Sequence, residues 1–339
     1  AKQLFKPVEQ AGRVSAAETI FRLKPVTAEK DKKILEDKII SVTAFSDYLA
    51  CPFRFYLKHI LKMEALSDDK TELDALDFGL IVHEVLQVMG GNRELWACPD
   101  AGRLGKTLAD LADRAAAARY GKKLPSAALV ALSSARARLE ALAREQVKLA
   151  GAGWEIITAE QKKSITRQDF TINGKIDRVD RQKDSGLIRI IDYKTSDADR
   201  SPVAQHLQPR REGAADYNRL VFQGKKDRKG KSKAKEMQWH NLQLPLYRLL
   251  YDERRALEAG HELAYFNLPK AVSETGISAW REFNDDMMAS AIQCMEGVLA
   301  DIAGRKFWPP AESVEHDEDF AMLFLDLPEK AFDITGFPS

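Results

Sequence analysis

The sequence predicts an α/β (α+β) fold: a central mixed β-sheet flanked by helices, with an inserted α-helical subdomain. Three observations carry that expectation. Residues 154–194 read as a meander of three strands, closed by a hairpin whose turn is Lys183-Asp184-Ser185-Gly186. Further strands are expected at Leu263–Leu268 and Ile277–Phe283. Apolar residues at helical spacing fill residues 101–149 and Asp285–Ala303.

Composition bounds the rest. The chain has 339 residues, 45% of them hydrophobic and 30% charged, enough for a sizeable core in one large domain or two. A net charge of +1 names no partner, so any nucleic-acid surface must be local. No run of 18 apolar residues occurs, so no transmembrane helix and no membrane partner is expected. The opening Ala-Lys-Gln-Leu-Phe-Lys-Pro lacks the apolar segment of a signal peptide. Cys51, Cys98 and Cys294 are scattered and odd in number, which argues against a disulfide scaffold and fits a cytoplasmic location.

Taken in order, residues 1–40 read as an extended lead-in, and their abrupt start suggests a piece of a longer protein. Ser41 or Thr43 caps a helix carrying Phe45, Tyr48 and Leu49, and Pro52 restarts a second one through Phe53–Leu61. After an acidic loop at 66–75, an apolar helix from Asp77 carries His83, one turn from Gly79 and Gln87. A lone histidine on such a face is more often a satisfied core residue than a ligand. Two helices then fill 101–150, split at Gly121–Ser126, and form the inserted subdomain; their arginines read as solvated, with DNA contact as the alternative. Residues 195–222 look like a loop. The basic loop 223–236 holds seven Lys and Arg residues, a density that resists folding and attracts phosphates, though a plain solvated loop is equally compatible. Trp239–Tyr251 reads as a helix with Gln243 and Tyr247 on one face and Pro245 at a kink or in the first turn. The acidic and then aromatic tail, 311–339, is expected to pack back on the body.

The hairpin concentrates the chemistry. A turn centred between Asp184 and Ser185 sets Asp177 opposite Asp192, and directly opposed Cβ atoms lie about 5 Å apart. Alternation puts Asp192 and Lys194 on one face, with Tyr193 pointing away. Two acids that close disfavour the fold unless a cation lies between them, and a divalent metal with oxygen ligands would serve. A solvated Asp-Arg-Val-Asp-Arg face and a surface salt bridge at Asp-x-Lys are the alternatives. The near-continuous apolar run Leu187–Ile191 favours burial, and with it the metal.

Four pieces now occur in order: Gly79-Leu-Ile-Val-His83, Gly174-Lys-Ile-Asp177-Arg-Val-Asp180, Asp192-Tyr-Lys194-Thr and Gln243-Leu-Pro-Leu-Tyr247. Together they resemble the RecB-like branch of the PD-(D/E)XK nuclease superfamily over about 41–310. The stretch Ser41–Tyr56 also resembles AddB-type helicase-nuclease C-terminal domains. The resemblance implies a restriction-endonuclease-like core and hydrolysis of DNA phosphodiesters, by an exonuclease in preference to an endonuclease, in DNA repair and recombination. It implies Mg²⁺ or Mn²⁺ held by His83, Asp177, Asp192 and the backbone carbonyl of Tyr193. Lys194 would be the catalytic lysine, Gln243 and Tyr247 its support, and Glu160 an acidic residue ahead of the hairpin. Arg178, Lys225, Lys226, Arg228 and Lys229 would meet backbone phosphates. The implied partner is a helicase subunit or an N-terminal helicase-like region of the same protein. No Gly-x-x-x-x-Gly-Lys-Ser loop occurs, so ATP hydrolysis is not expected of this chain. Some relatives hold an iron–sulfur cluster. Cys51 matches its first ligand, but Phe307–His316 has no cysteine, so no cluster is expected and Phe307, Trp308 and the tail would staple the region instead. Two rivals stay open: a catalytically inactive DNA-binding or scaffold module, and a hydrolase of other phosphoesters.

Overall fold

The computed structural model describes residues 37–63, 75–121, 123–198, 200–223, 234–256, 260–308 and 311. Lys225, Lys226, Arg228 and Lys229, the lead-in before Asp37 and the tail beyond Ala311 lie outside the described residues. By its contacts the chain divides into two units, one of residues 38–49 and 66–300, the other of 1–37, 50–65 and 301–339.

The larger unit begins with strand β1 (Ile39–Ser41), so the end of the expected lead-in is already a strand. Helix α1 (Ala44–Ala50) follows, with the Ala44 N–H donating to Ser41 Oγ at 3.2 Å. After helix α2 (Pro52–Phe55) of the smaller unit come α3 (Ala75–Gly91), a single-turn α4 (Arg93–Trp96), α5 (Ala101–Tyr120) and α6 (Ser126–Gly151). The meander β2 (Trp154–Arg167), β3 (Phe170–Gln182) and β4 (Ile188–Lys194) is present as expected. Residues 195–222 are not a loop throughout. They hold helix α7 (Pro202–His206) and strands β5 (Leu207–Pro209) and β6 (Arg219–Gln223). Pro202 and Pro209 stand where proline is tolerated, Pro202 starting a helix and Pro209 on an edge strand. With β7 (Ala234–Trp239) these strands form a small sheet in the order β5-β7-β6. Trp239 therefore ends a strand; the helix expected from it, α8 (Gln243–Tyr251), starts later with Pro245 in its first turn. Strands β8 (His261–Asn267) and β9 (Gly276–Ala279) and helix α9 (Asp285–Ala303) complete the unit.

The main sheet runs β1-β3-β4-β8-β9, with β2 along the other edge of β3. It is mixed: β1 with β3 and β4 with β8 are parallel pairs, and the others are antiparallel. β1 and β4 share one edge of β3. β1 pairs with Thr171–Asn173 and β4 with Arg178–Arg181, so the edge is open in between. The β3–β4 ladder closes at Arg178↔Ile191, and Asp192–Lys194 pair with Tyr265–Asn267 of β8. The two strands thus fork at the position where the acids stand.

Helices α3, α5 and α6 cover one face. Leu86, Met89, Leu104, Leu108, Leu139 and Leu142 form one buried cluster with Ile191, Tyr193 and Phe266 of the sheet. Each such fully buried side chain contributes roughly 1.5–3 kcal/mol. The helical pair α5 and α6 lies in sequence between α3 and the sheet, as expected, and shares the sheet's core. Helix α8 packs against β3, β4 and β8. Gly174 permits that approach: a Cβ there would stand 2.4 Å from Leu250 Cδ1 and 3.0 Å from Val42 Cγ2.

In the smaller unit, Cys51 Sγ accepts from the Arg54 N–H at 3.4 Å to start α2, which continues into a π-helical turn, Tyr56–Ile60. Phe53 meets Trp308 edge-on at 5.3 Å, and Tyr56 meets Phe307 at the same separation. All three cysteines are buried and free.

Candidate active site

At the fork, three acids and a histidine converge from four elements. Asp177 is the next position of β3 beyond the ladder, and in the same register its partner on β4 is Asp192. Because the strands part there, the Tyr193 N–H has no ladder partner on β3 and donates to Asp177 Oδ2 at 2.9 Å. Helix α3 brings His83, whose Nδ1 lies 3.2 Å from Glu160 Oε1 and 3.8 Å from Asp177 Oδ2. Glu160, on β2, has a φ of 53°, a left-handed value that side chains rarely adopt. His83, Glu160 and Asp177 each offer one ligand atom, all within 4.8 Å of one another. Glu160, expected only as an acid ahead of the hairpin, is therefore a member of the tight cluster.

The protonation energetics are those of a site short of positive charge. Burial pushes the Asp177 carboxyl well above its ordinary range, the Asp192 charge adds to this, and His83 only partly offsets it. Burial pulls the His83 imidazole down, but its hydrogen bond to Glu160 and the charges of Asp177, Glu160 and Asp192 leave it raised. Burial pushes Glu160 up, but His83 and Lys175, which is ion-paired to its Oε2, hold it below its ordinary value.

Asp192 is turned toward the lysine. Lys194 Nζ lies 2.7 Å from Asp192 Oδ2, donates to Gln243 Oε1 at 3.1 Å, and sits 4.7 Å above the Tyr265 ring. Gln243 Nε2 donates to Asp192 Oδ1 at 2.7 Å and to the Tyr247 hydroxyl at 3.1 Å. One amide on α8 thereby fixes acid, lysine and phenol together. Burial, then the Asp192 charge, raise the Tyr247 pKa and keep it a neutral phenol.

Two positioning groups leave no local signal in the sequence. Tyr265 stands opposite Asp192 in the parallel β4–β8 register, and its hydroxyl is 2.9 Å from His206 Nε2, while His206 Nδ1 donates to the Asn241 carbonyl at 2.7 Å. Arg138 of α6, 3% exposed, donates to the carbonyls of Thr195 at 2.7 Å and Leu268 at 2.9 Å, tying down the segment after Lys194. Neither signal is local: parallel partners and helix-to-loop contacts leave no periodicity behind.

Arg178 corrects an expectation. It was a candidate for phosphate contact, but it is 1% exposed. Its Nε and Nη2 each donate at 2.7 Å to Asp180, and its Nη1 donates to Gln146 Oε1 at 2.8 Å. Alternation turned it to the face that α6 covers, away from solvent and any phosphate.

An imidazole, three acids and a hydrogen-bonded lysine thus stand together at the fork of a mixed sheet. Residues 39–210, half of the chain, match the model of the PD-(D/E)XK nuclease superfamily, and the chain belongs to that superfamily. Its role is that of a nuclease. It is 29% identical over 190 residues to a protein of Carboxydothermus hydrogenoformans named as one subunit of an ATP-dependent helicase/deoxyribonuclease, across 48% of this chain and 17% of that protein. The chain thus spans about a sixth of the relative's length. A solved structure from Eubacterium rectale, provisionally named an exonuclease, is similar with a TM-score of 0.43 and 13% identity over 86% of this chain and 91% of that one.

Proposed function

We propose that this chain is a divalent-metal-dependent deoxyribonuclease domain. Its metal would be Mg²⁺ or Mn²⁺, held by His83, Glu160, Asp177 and Asp192 with the Tyr193 carbonyl. The observation that supports this most is the three-donor cluster standing beside a lysine fixed from three sides. One imidazole with carboxylates and no thiolate suits these hard or borderline cations. When bound, the ion would offset charge on the scissile phosphate and make a water more acidic. Lys194 would orient that water and hold the phosphate oxygen as negative charge grows. Its partners Asp192 and Gln243 keep the ammonium aimed while the attacking oxygen bonds to phosphorus. One ester P–O bond breaks, and the departing oxygen takes up a proton. Gln243 and Tyr247 make no contact that demands reaction; they hold Asp192 and Lys194 in register.

DNA as substrate and a helicase partner are carried over from the name of the partly matching relative, and a place in DNA repair from the family resemblance of the sequence motifs. Exonuclease action and a cytoplasmic setting complete the reading. Among the described residues no helix is long and apolar enough to cross a membrane. The test is incubation of labelled single- and double-stranded DNA with Mg²⁺ or Mn²⁺, using wild type, Lys194→Ala and Asp192→Ala. Cleavage by wild type, lost in both variants and in chelator, is expected. Cleavage surviving in both sinks the site; no cleavage of any DNA returns the chain to a non-catalytic scaffold.

A further inference from the structure

We infer that a lysine-lined groove beside the cluster is a track for the phosphate backbone of the substrate strand, one nucleotide step from the scissile position. This rests on the nuclease reading above and names the surface that holds its substrate. The groove has a volume of 510 Å³ and is lined by Lys162, Lys163, Ser164, Asn173, Gly174 and Lys175, with no carboxylate among them. Strands β2 and β3 set its residues in cross-strand pairs. Lys162 stands directly opposite Lys175, and Ser164 opposite Asn173. The same register, carried two residues toward the cluster, sets Glu160 opposite Asp177. Read outward from the metal cluster, the two strands therefore present acids, then lysines, then neutral hydrogen-bonding groups. Each step is two residues, about 6.6 Å, comparable to one nucleotide of an extended strand.

The charge balance argues for an absent polyanion. Like charges directly opposite in a sheet destabilise it. Glu160 offsets Lys175, but among the described residues no carboxylate pairs with Lys162 or Lys163. Lys162 and Lys175 are exposed and Lys163 is half-buried, so a bound strand would desolvate little else. Lys175 links the two sites, since its ammonium touches the acid that His83 also holds. The surface that Arg178 was expected to provide is supplied instead by Lys162 and Lys175, which are exposed on the same two strands.

The experiment is fluorescence anisotropy of a labelled single-stranded oligonucleotide in chelator, over a range of KCl. It compares wild type with Lys162→Ala/Lys163→Ala and Lys162→Arg/Lys163→Arg. The alanine pair is expected to bind about tenfold more weakly. Its salt slope should be shallower by about 1.4, two lost contacts at roughly 0.7 each for a single strand. The arginine pair should retain wild-type binding, which separates charge from folding damage. Unchanged affinity and slope in the alanine pair, or loss in the arginine pair equal to that in the alanine pair, overturns the track. The same wild-type preparation is assayed for cleavage with Mn²⁺. Cleavage with unchanged binding in the variants rejects the track alone. Lysine-dependent binding without cleavage rejects the nuclease reading and leaves the track standing.

Discussion

Asp177 and Asp180 lie three residues apart on one strand, both buried, and they solve the same electrostatic problem in opposite ways. Asp180, 0% exposed, is completed from within the chain by both forks of Arg178, which Gln146 and the Tyr193 hydroxyl hold in turn. Asp177, 5% exposed, faces Glu160 and Asp192, with one histidine to set against them. A buried carboxylate whose countercharge is built in is architecture. One left among other acids stores a demand for a cation, and that demand is what a catalytic ion can answer.

The comparison can be broken most directly through activity. Asp177→Asn is expected to lower metal-dependent cleavage by on the order of 10²–10³-fold or more while the protein remains folded. Cleavage within a few-fold of wild type would make Asp177 as structural as Asp180. Next in size is stability. Asp180→Asn strands the Arg178 charge in the core, and urea unfolding should register a loss of about 3 kcal/mol or more. The fraction that still folds should cleave normally. A variant as stable as wild type would mean that the buried pair contributes nothing.

The smallest expected effect is a pH dependence that belongs to Asp177. In the folded, metal-free protein its carboxyl keeps its proton to higher pH than in the unfolded chain, because of burial first and Asp192 second. The folded state therefore binds more protons, and this residue's contribution to stability falls as pH rises from the ordinary carboxylate range through the raised folded value. Melting in chelator should show wild type losing ground to Asp177→Asn as pH increases, with Mn²⁺ restoring it. A difference between the two that does not vary with pH would remove the claim that Asp177 is short of countercharge.

Much of this was legible from local patterns. The turn cluster Lys183–Gly186 sets the hairpin register, and the ladder found between β3 and β4 follows it. The amphipathic run Asp285–Ala303 is one helix with those bounds. His83 could be separated from an ordinary core histidine only through the family resemblance, because its partners come from β2 and β3. Arg178 is ambiguous from sequence because Asp-Arg-Val-Asp-Arg looks alike on either face. Which face is covered depends on Gln146, in a helix that precedes the sheet. Lys162 and Lys175 carry no local signal in the sequence, since their meaning lies in cross-strand pairing with each other.

The left-handed backbone at Glu160 sets thermostability against cutting at a single residue. A φ of 53° costs a side chain roughly 1–2 kcal/mol that glycine would not bear. A library sorted on melting temperature would thus favour glycine at 160, and with it the loss of the carboxylate that His83 and Lys175 both contact. An engineer who improves this domain by heat alone would select the blade away.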